Sequence, residues 1–161
     1  MSLVCGWSAP TSRRIGLASA ARDGRAIGRM ARQTEFLFDT NALIDIYRGR
    51  DFVKPHFEAI LDGSLLPYVS VITEAELWRG LRPEELERHE SLMERFVPIP
   101  LDSDIARLAG AWMQKYADSG LGWMDALISA TGKITGLAVL TRDKRLALVL
   151  APELKFEVYG T

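Results

Sequence analysis

The amino-acid sequence predicts an α/β fold: a three-layer sandwich whose central, twisted and mostly parallel sheet of four or five strands is flanked by helices. Segments typical of strands alternate with segments typical of helices along the chain, as expected of parallel strands joined by crossover helices. The strand segments are continuously apolar, which indicates a sheet buried on both faces. With 161 residues, 48% hydrophobic and 25% charged, the chain has the size and composition of one globular domain.

Composition excludes several classes of protein. The longest uninterrupted apolar run, residues 146–151, is six residues long, whereas a membrane-spanning helix needs about 20. The single cysteine, Cys5, has no partner for an intrachain disulfide, and one cysteine with two histidines cannot form a Cys/His zinc site. We therefore expect a cytoplasmic protein without a membrane attachment.

The first 34 residues differ in charge from the rest of the chain. They contain six arginines and one acid, Asp23, for a net charge of +5, while residues 35–161 hold 14 bases and 20 acids, for a net charge of −6. We interpret residues 1–34 as a disordered leader or a misassigned start, with Met30 as the alternative first residue. Residues 35–161 are expected to form the domain. Because that domain is acidic, bulk positive charge is not how it would attract nucleic acid.

The first elements are one strand and two helices. Residues 35–38 form a short apolar and aromatic run, which predicts a buried strand. Apolar residues then recur at helical spacing up to Gly49. A second helix is expected over residues 51–61, where Pro55 is tolerated because it lies in the first turn.

A second strand is expected over residues 65–72. Thr73 is followed three residues later by Glu76, the spacing of a capping box, so we predict that Thr73 caps a helix ending at Gly80. Another helix is expected over residues 83–96, begun by proline and acids.

Strands and helices continue to alternate in the second half. We expect, in order, a strand at 97–101, a helix capped by Asp102 or Asp104, a loop at Gly120 and Gly122, a helix at 124–134, a strand at 137–140, a short helix, and a strand at 155–159.

Four acids lie where strands end or helices begin. Asp39 follows the first strand and Asp143 follows the strand at 137–140, while Glu76 and Asp125 lie in the first turns of two predicted helices. Ligands of open α/β sheets bind at the carboxyl ends of the strands. Two carboxylates about 4 Å apart repel each other by about 4 kcal/mol at an effective dielectric of 20, so a cluster of four needs cations or protons. Oxygen ligands without Cys or His favour Mg²⁺ or Mn²⁺ over zinc.

Helix capping is the simpler interpretation of each acid taken singly. Asp and Glu are favoured at helix N-termini because they accept backbone N–H groups and complement the helix dipole. We interpret Asp102 and Asp104 in this way. The other four acids come with polar neighbours: Asn41 lies two residues after Asp39, and Thr141 precedes Asp143.

Four segments together resemble the signatures of PIN domains, most closely the VapC-type toxins of bacterial toxin–antitoxin pairs. These segments are FLFDTNALID at 36–45, SVITEAELWRG at 70–80, WMDALISAT at 123–131 and LTRD at 140–143. The resemblance covers about 35–160, with the segments in the expected order. The Ser-x-x-Thr-x-x-Glu pattern places the second acid of the family at Glu76 rather than Glu74. The leader departs from the family pattern.

The resemblance implies a metal-dependent endoribonuclease, the toxin of a type II toxin–antitoxin pair. It implies that Asp39, Glu76, Asp125 and Asp143 hold one or two Mg²⁺ or Mn²⁺ ions. Asn41 and Thr141 would orient carboxylates or water. The implied partners are an RNA substrate, a cognate antitoxin and a second copy of the chain, with operator DNA contacted only through the antitoxin complex.

Five basic residues lie close in sequence to the four segments and are candidates for contacts with RNA phosphates: Arg48, Arg79, Arg82, Arg142 and Lys144. Ordinary solvated surface is the alternative for each. The apolar residues of 42–47 are candidates for a partner surface or for core. His56 and His89 are expected at the surface or the edge of the core.

Two other functions remain open from sequence. A haloacid-dehalogenase-type, Mg²⁺-dependent phosphatase also places an aspartate after an apolar strand, but it needs a second acid where this chain has Asn41. A non-catalytic receiver or binding module would use a strand-end aspartate as phosphate acceptor, but the adjacent pair of acids that a receiver uses is missing after the first strand.

Overall fold

The structure, a computed structural model, describes residues 33–160. The strands are β1 (Thr34–Phe38), β2 (Leu65–Ser70), β3 (Val97–Ile99), β4 (Ala138–Thr141) and β5 (Phe156–Val158). The α-helices are α1 (Thr40–Tyr47), α2 (Lys54–Leu61), α3 (Val71–Gly80), α4 (Leu86–Met93), α5 (Ser103–Lys115), α6 (Trp123–Thr135) and α7 (Lys144–Leu150). The predictions for the leader and for Met30 lie outside the described residues.

The five strands form one parallel sheet in the order β3-β2-β1-β4-β5. At the end of β1, Phe38 lies opposite Val69 of β2 and Leu140 of β4. The three central strands therefore end at nearly the same level, and the residues that follow them meet at one edge. This confirms the predicted parallel sheet, with five strands.

Helices cover both faces of the sheet. Successive side chains of β1 point to opposite faces, so Phe38 and Leu37 show what packs on each one. Phe38 is fully buried toward α1–α4 and packs edge-on against Phe96, with ring centroids 5.2 Å apart. Leu37 is fully buried on the other face, against Ile128 of α6 and Val139 of β4. The three-layer prediction is confirmed.

Two local predictions were wrong. The second strand ends at Ser70 rather than residue 72, and the Ser70 hydroxyl accepts a hydrogen bond from the Ile72 N–H, so Ser70 and not Thr73 caps α3. The helix expected over 83–96 is a 3₁₀ turn at Pro83–Glu85 followed by α4. Of the two alternatives for His89, the edge of the core holds, since it is only 2% exposed.

The apolar residues of α1 belong to the core. Ala42 and Leu43 are fully buried and Ile46 nearly so, while Tyr47 is half-buried. Core is therefore the correct alternative for this stripe. Among residues 33–160, no helix is long and apolar enough to cross a membrane.

Candidate active site

Asp39 lies at the centre of the candidate site, directly after β1, where it is the N-cap of α1. Its Oδ1 accepts a hydrogen bond from the Thr40 N–H at 2.7 Å. Its Oδ2 accepts two more, from Asn41 Nδ2 at 2.6 Å and from the Thr141 hydroxyl at 2.7 Å. Asp39 is only 4% exposed. The carboxylate is therefore held in one orientation by α1 and by the end of β4.

Opposing effects act on the charge of Asp39. Burial raises its pKa to about 6. Hydrogen bonds from Thr141 and Thr40 favour the ionised form and lower the pKa, while the carboxylates of Asp125 and Glu76 raise it. The hydrogen bonds from Thr141 and Thr40 therefore offset only part of the cost of burying this charge beside two other acids.

Glu76 reaches the site from α3. The Thr40 hydroxyl donates to its Oε2 at 2.6 Å, so one residue of α1 contacts both Asp39 and Glu76. Because α3 begins at Val71, Glu76 lies in the second turn, not in the first turn as predicted. Glu74 lies in the first turn and complements the helix N-terminus.

Asp143 follows β4, which lies on the opposite side of β1 from β2, and Asp125 lies in the first turn of α6. Burial raises the pKa of Asp125, and the carboxylates of Asp143 and Glu76 raise it further, while the Arg145 guanidinium opposes them. Asp143 is the N-cap of α7, and its Oδ1 accepts from the Leu146 N–H at 2.9 Å.

An acid can therefore cap a helix and also belong to the candidate active site. Asp39 and Asp143 both cap helices, as the simpler interpretation of these acids expects. Within the described segment, the Leu146 N–H is the donor found at the Asp143 carboxylate, and it occupies only one of the two oxygens.

The four carboxylates fit a hard divalent cation by their chemistry. All are oxygen donors, and they come from four separate elements to one edge of the sheet. Their mutual repulsion, seen at Asp39 and Asp125, is what a cation would relieve. Among residues 33–160, however, no three acidic, histidine or cysteine side chains already converge tightly enough to hold one ion. Binding would therefore require side-chain adjustment.

Sequence reasoning missed a buried network beneath the site. Asp45, which is fully buried, pairs with Arg142 Nη1 at 3.1 Å and accepts from the Tyr159 hydroxyl at 2.8 Å. The Arg142 N–H donates to Asn41 Oδ1 at 3.0 Å, and the Tyr159 hydroxyl lies 3.4 Å from the same oxygen. Burial, with Asp45 next in effect, raises the pKa of Tyr159. The network thus holds Asn41, which in turn holds Asp39.

A signal for this network existed in the sequence. Asp45 is an acid four residues after Asn41, within an otherwise apolar helical stripe. A buried charge at such a position requires a partner.

The predicted RNA-contact residues differ in their surroundings. Arg142 is tied to Asp45, although 44% of its side chain is exposed. The other four are exposed: Arg48, Arg79, Arg82 and Lys144. Two tryptophans near the acids, Trp78 and Trp123, are each about half exposed.

Comparisons with known proteins agree with this architecture. A family profile described as PIN domain matches residues 36–150. Ribonuclease VapC19 of Mycobacterium tuberculosis is 28% identical over 111 residues, which cover 68% of this chain and 89% of that protein.

Solved structures are also similar. A toxin–antitoxin complex from Klebsiella pneumoniae contains a chain 31% identical to this one with a TM-score of 0.60, covering 70% of this chain and 89% of that chain. The DNA-bound VapBC from Salmonella typhimurium matches with 25% identity and a TM-score of 0.64, covering 78% of this chain and 98% of that chain.

Proposed function

We propose that this chain, which belongs to the PIN domain family, is a metal-dependent endoribonuclease that acts as the toxin of a type II toxin–antitoxin pair. The observation that carries the proposal is that four carboxylates from four elements lie at one edge of the sheet, close enough that neighbouring acids raise the pKa of the buried Asp39 and of Asp125. Its similarity to a protein named ribonuclease VapC19 supports RNA as the substrate.

Asp39, Glu76, Asp125 and Asp143 are the residues that would hold Mg²⁺ or Mn²⁺. Their oxygen-only donor set matches the preference of these ions. When bound, such an ion supplies activation of water for attack on phosphorus and stabilises negative charge on the leaving oxygen.

The polar neighbours of the acids hold the carboxylates in fixed orientations before substrate binds. Asn41 and Thr141 both donate to Asp39 Oδ2, which fixes the carboxylate and favours its ionised form. The Thr40 hydroxyl positions Glu76. Attack of water on the scissile phosphorus at this site would leave 5′-phosphate and 3′-hydroxyl ends.

The partners follow from the complexes to which the chain is similar. We propose a cognate antitoxin, a homodimer, and contact with operator DNA only through the antitoxin complex. The similarity to a toxin–antitoxin complex and to a DNA-bound VapBC supports the antitoxin partner and the contact with DNA within the complex. A cytoplasmic location agrees with an RNA substrate and a DNA-bound complex.

The phosphatase alternative is not favoured by the site. A haloacid-dehalogenase-type site needs a second acid two residues after the strand-end aspartate. Here that position is Asn41, whose amide donates to Asp39 and whose carbonyl accepts from the Arg142 N–H.

The proposal is tested with total RNA and antitoxin-free protein in Mg²⁺ or Mn²⁺. We expect discrete cuts that disappear with EDTA and in an Asp39→Asn/Asp125→Asn double variant. Glu76→Gln should strongly reduce cleavage, and Glu74→Gln, two residues earlier on the same helix, is the matched control. Mapping the ends identifies the target RNA. Absence of cleavage by folded, metal-loaded protein would contradict the proposal.

A further inference from the structure

A cavity of about 340 Å³ lies beside the acidic site, between α1, α3 and the segment 85–89. Glu76 lines both the cavity and the acidic site. A molecule bound across the acids therefore has the cavity immediately next to it. The volume falls in the usual range of small-ligand sites.

Hydrogen bonds hold the walls of the cavity together. The Tyr47 hydroxyl on α1 lies 2.6 Å from His89 Nδ1 on α4, and their rings are nearly parallel, with centroids 6.0 Å apart. Arg88 Nη2 donates to the Tyr47 carbonyl oxygen at 3.0 Å. Trp78 packs edge-on against His89, with centroids 5.1 Å apart. The cavity is therefore formed before a ligand binds.

The lining combines apolar surface with charged groups. Ile44, Leu77 and Leu81 provide apolar walls, and Tyr47 provides an aromatic ring. The charged groups of the lining are two arginines, Arg48 and Arg88, and two acids, Glu76 and Glu85. The arginines bring positive charge next to the acidic site. A nucleotide matches this lining, because its base is a flat ring with polar edges and its phosphate is an anion.

We propose that this cavity holds the base of the nucleotide next to the scissile phosphodiester, so that α1, α3 and α4 read one base of the RNA. This proposal rests on the proposed ribonuclease function. The shared Glu76 is the main reason to prefer RNA to a protein segment. A phosphodiester bound at the acids has a nucleotide on each side, and the one beside Glu76 would lie at the cavity, where Arg48 and Arg88 offer positive charge to the RNA backbone.

Filling the cavity tests the proposal. At Gly80, which lines it, an added Cβ meets no atom within 4 Å, and the backbone does not require a positive φ. Gly80→Leu therefore adds a bulky side chain at the wall of the cavity without a clash of its Cβ. Gly110→Leu is the matched control, because Gly110 lies in α5 and its added Cβ also meets nothing within 4 Å. Arg48→Ala and Arg50→Ala form a second pair, since Arg50 does not line the cavity.

Three readouts are needed. Cleavage of an RNA pool randomised around the cut measures base preference. Hydrolysis of bis(p-nitrophenyl) phosphate, a phosphodiester without a nucleobase, measures the activity of the acidic site alone. Binding of short fluorescent RNAs in EDTA reports base selectivity without cleavage. We expect Gly80→Leu to lower RNA cleavage efficiency by about tenfold or more, to a greater extent than hydrolysis of the small ester, and to flatten the preference at one position. Arg48→Ala should weaken RNA binding, while Gly110→Leu and Arg50→Ala match the wild type.

The possible results separate this proposal from the proposed function. Unchanged base preference and efficiency in Gly80→Leu and Arg48→Ala would overturn the pocket. So would loss of antitoxin binding in Gly80→Leu with RNA reading intact, because the cavity would then be a protein site. If the wild type cleaves neither substrate but binds RNA with a base preference that Gly80→Leu removes, the ribonuclease proposal would be overturned and the base pocket supported. If the wild type shows neither cleavage nor base-selective RNA binding, both the ribonuclease proposal and the base pocket would be overturned.

Discussion

Asp39 should make the metal-free protein less stable as the pH rises. Its pKa is 3.8 as a free side chain and about 6 in the folded protein, where burial is the largest cause of the increase. Between these values the folded state binds more protons than the unfolded state. The free energy of unfolding therefore falls as pH rises through this window and levels off above about pH 6.

The size of the effect follows from the shift. An increase of about two pKa units corresponds to about 3 kcal/mol, at 1.36 kcal/mol per unit. No reduction for solvent screening is needed because the carboxylate is only 4% exposed. For a domain of this size, unfolding entropy of about 2.1 cal/mol/K per residue makes this a change of about 10 °C in Tm.

Asp39→Asn isolates this contribution, because an amide does not titrate in the window. The variant loses a hydrogen bond at the Oδ2 position, where Asn41 and Thr141 both donate, but this cost does not depend on pH. We would measure urea unfolding of both proteins in EDTA from pH 3.5 to 7.5. The wild type should lose about 3 kcal/mol relative to the variant across this range. Saturating Mg²⁺ at pH 7 should restore stability in the wild type far more than in the variant.

A flat difference between the two proteins would refute the assignment of a raised pKa to Asp39. A difference of opposite sign would show that its hydrogen bonds outweigh its burial. A Mg²⁺ effect of equal size in both proteins would place the cation elsewhere.

Three further predictions concern residues around the site. Glu76→Gln should reduce RNA cleavage by about 100-fold or more, while Glu74→Gln stays close to wild type; equal losses in kcat/KM would indicate a general effect of charge on α3. Arg142→Ala should lower the free energy of unfolding by about 3 kcal/mol, because it leaves the buried Asp45 carboxylate without its ion-pair partner; a change below about 0.5 kcal/mol in urea unfolding would argue against that pairing. Ser70→Ala should cost about 1 kcal/mol through loss of the α3 cap, and an unchanged Tm would contradict the cap.

The order of the elements and the place of the site could be predicted from the sequence, because both depend on local patterns. Continuous apolar runs identify buried strands, and an acid directly after such a run lies at a carboxyl end. This reasoning places Asp39 and Asp143 after strands, and the structure agrees. Asp125 lies at a helix start as predicted, whereas Glu76 lies one turn further along α3.

Boundaries depended on contacts that local patterns do not contain. Ser70 and Thr73 are both residues suited to capping. The choice between them follows from where β2 stops pairing, opposite Phe38 of β1 and Ile99 of β3. The strand order, with β1 between β2 and β4, is likewise a matter of long-range pairing.

The network beneath the site was decided by tertiary structure. Asp45 and Arg142 are 97 residues apart, and Asp45 and Tyr159 are 114 apart. The sequence showed that an acid interrupted an apolar stripe, and a buried charge needs a partner. Which partner it meets depends on β4 and β5 ending beside α1, since only the packed sheet brings three such distant positions within hydrogen-bond reach.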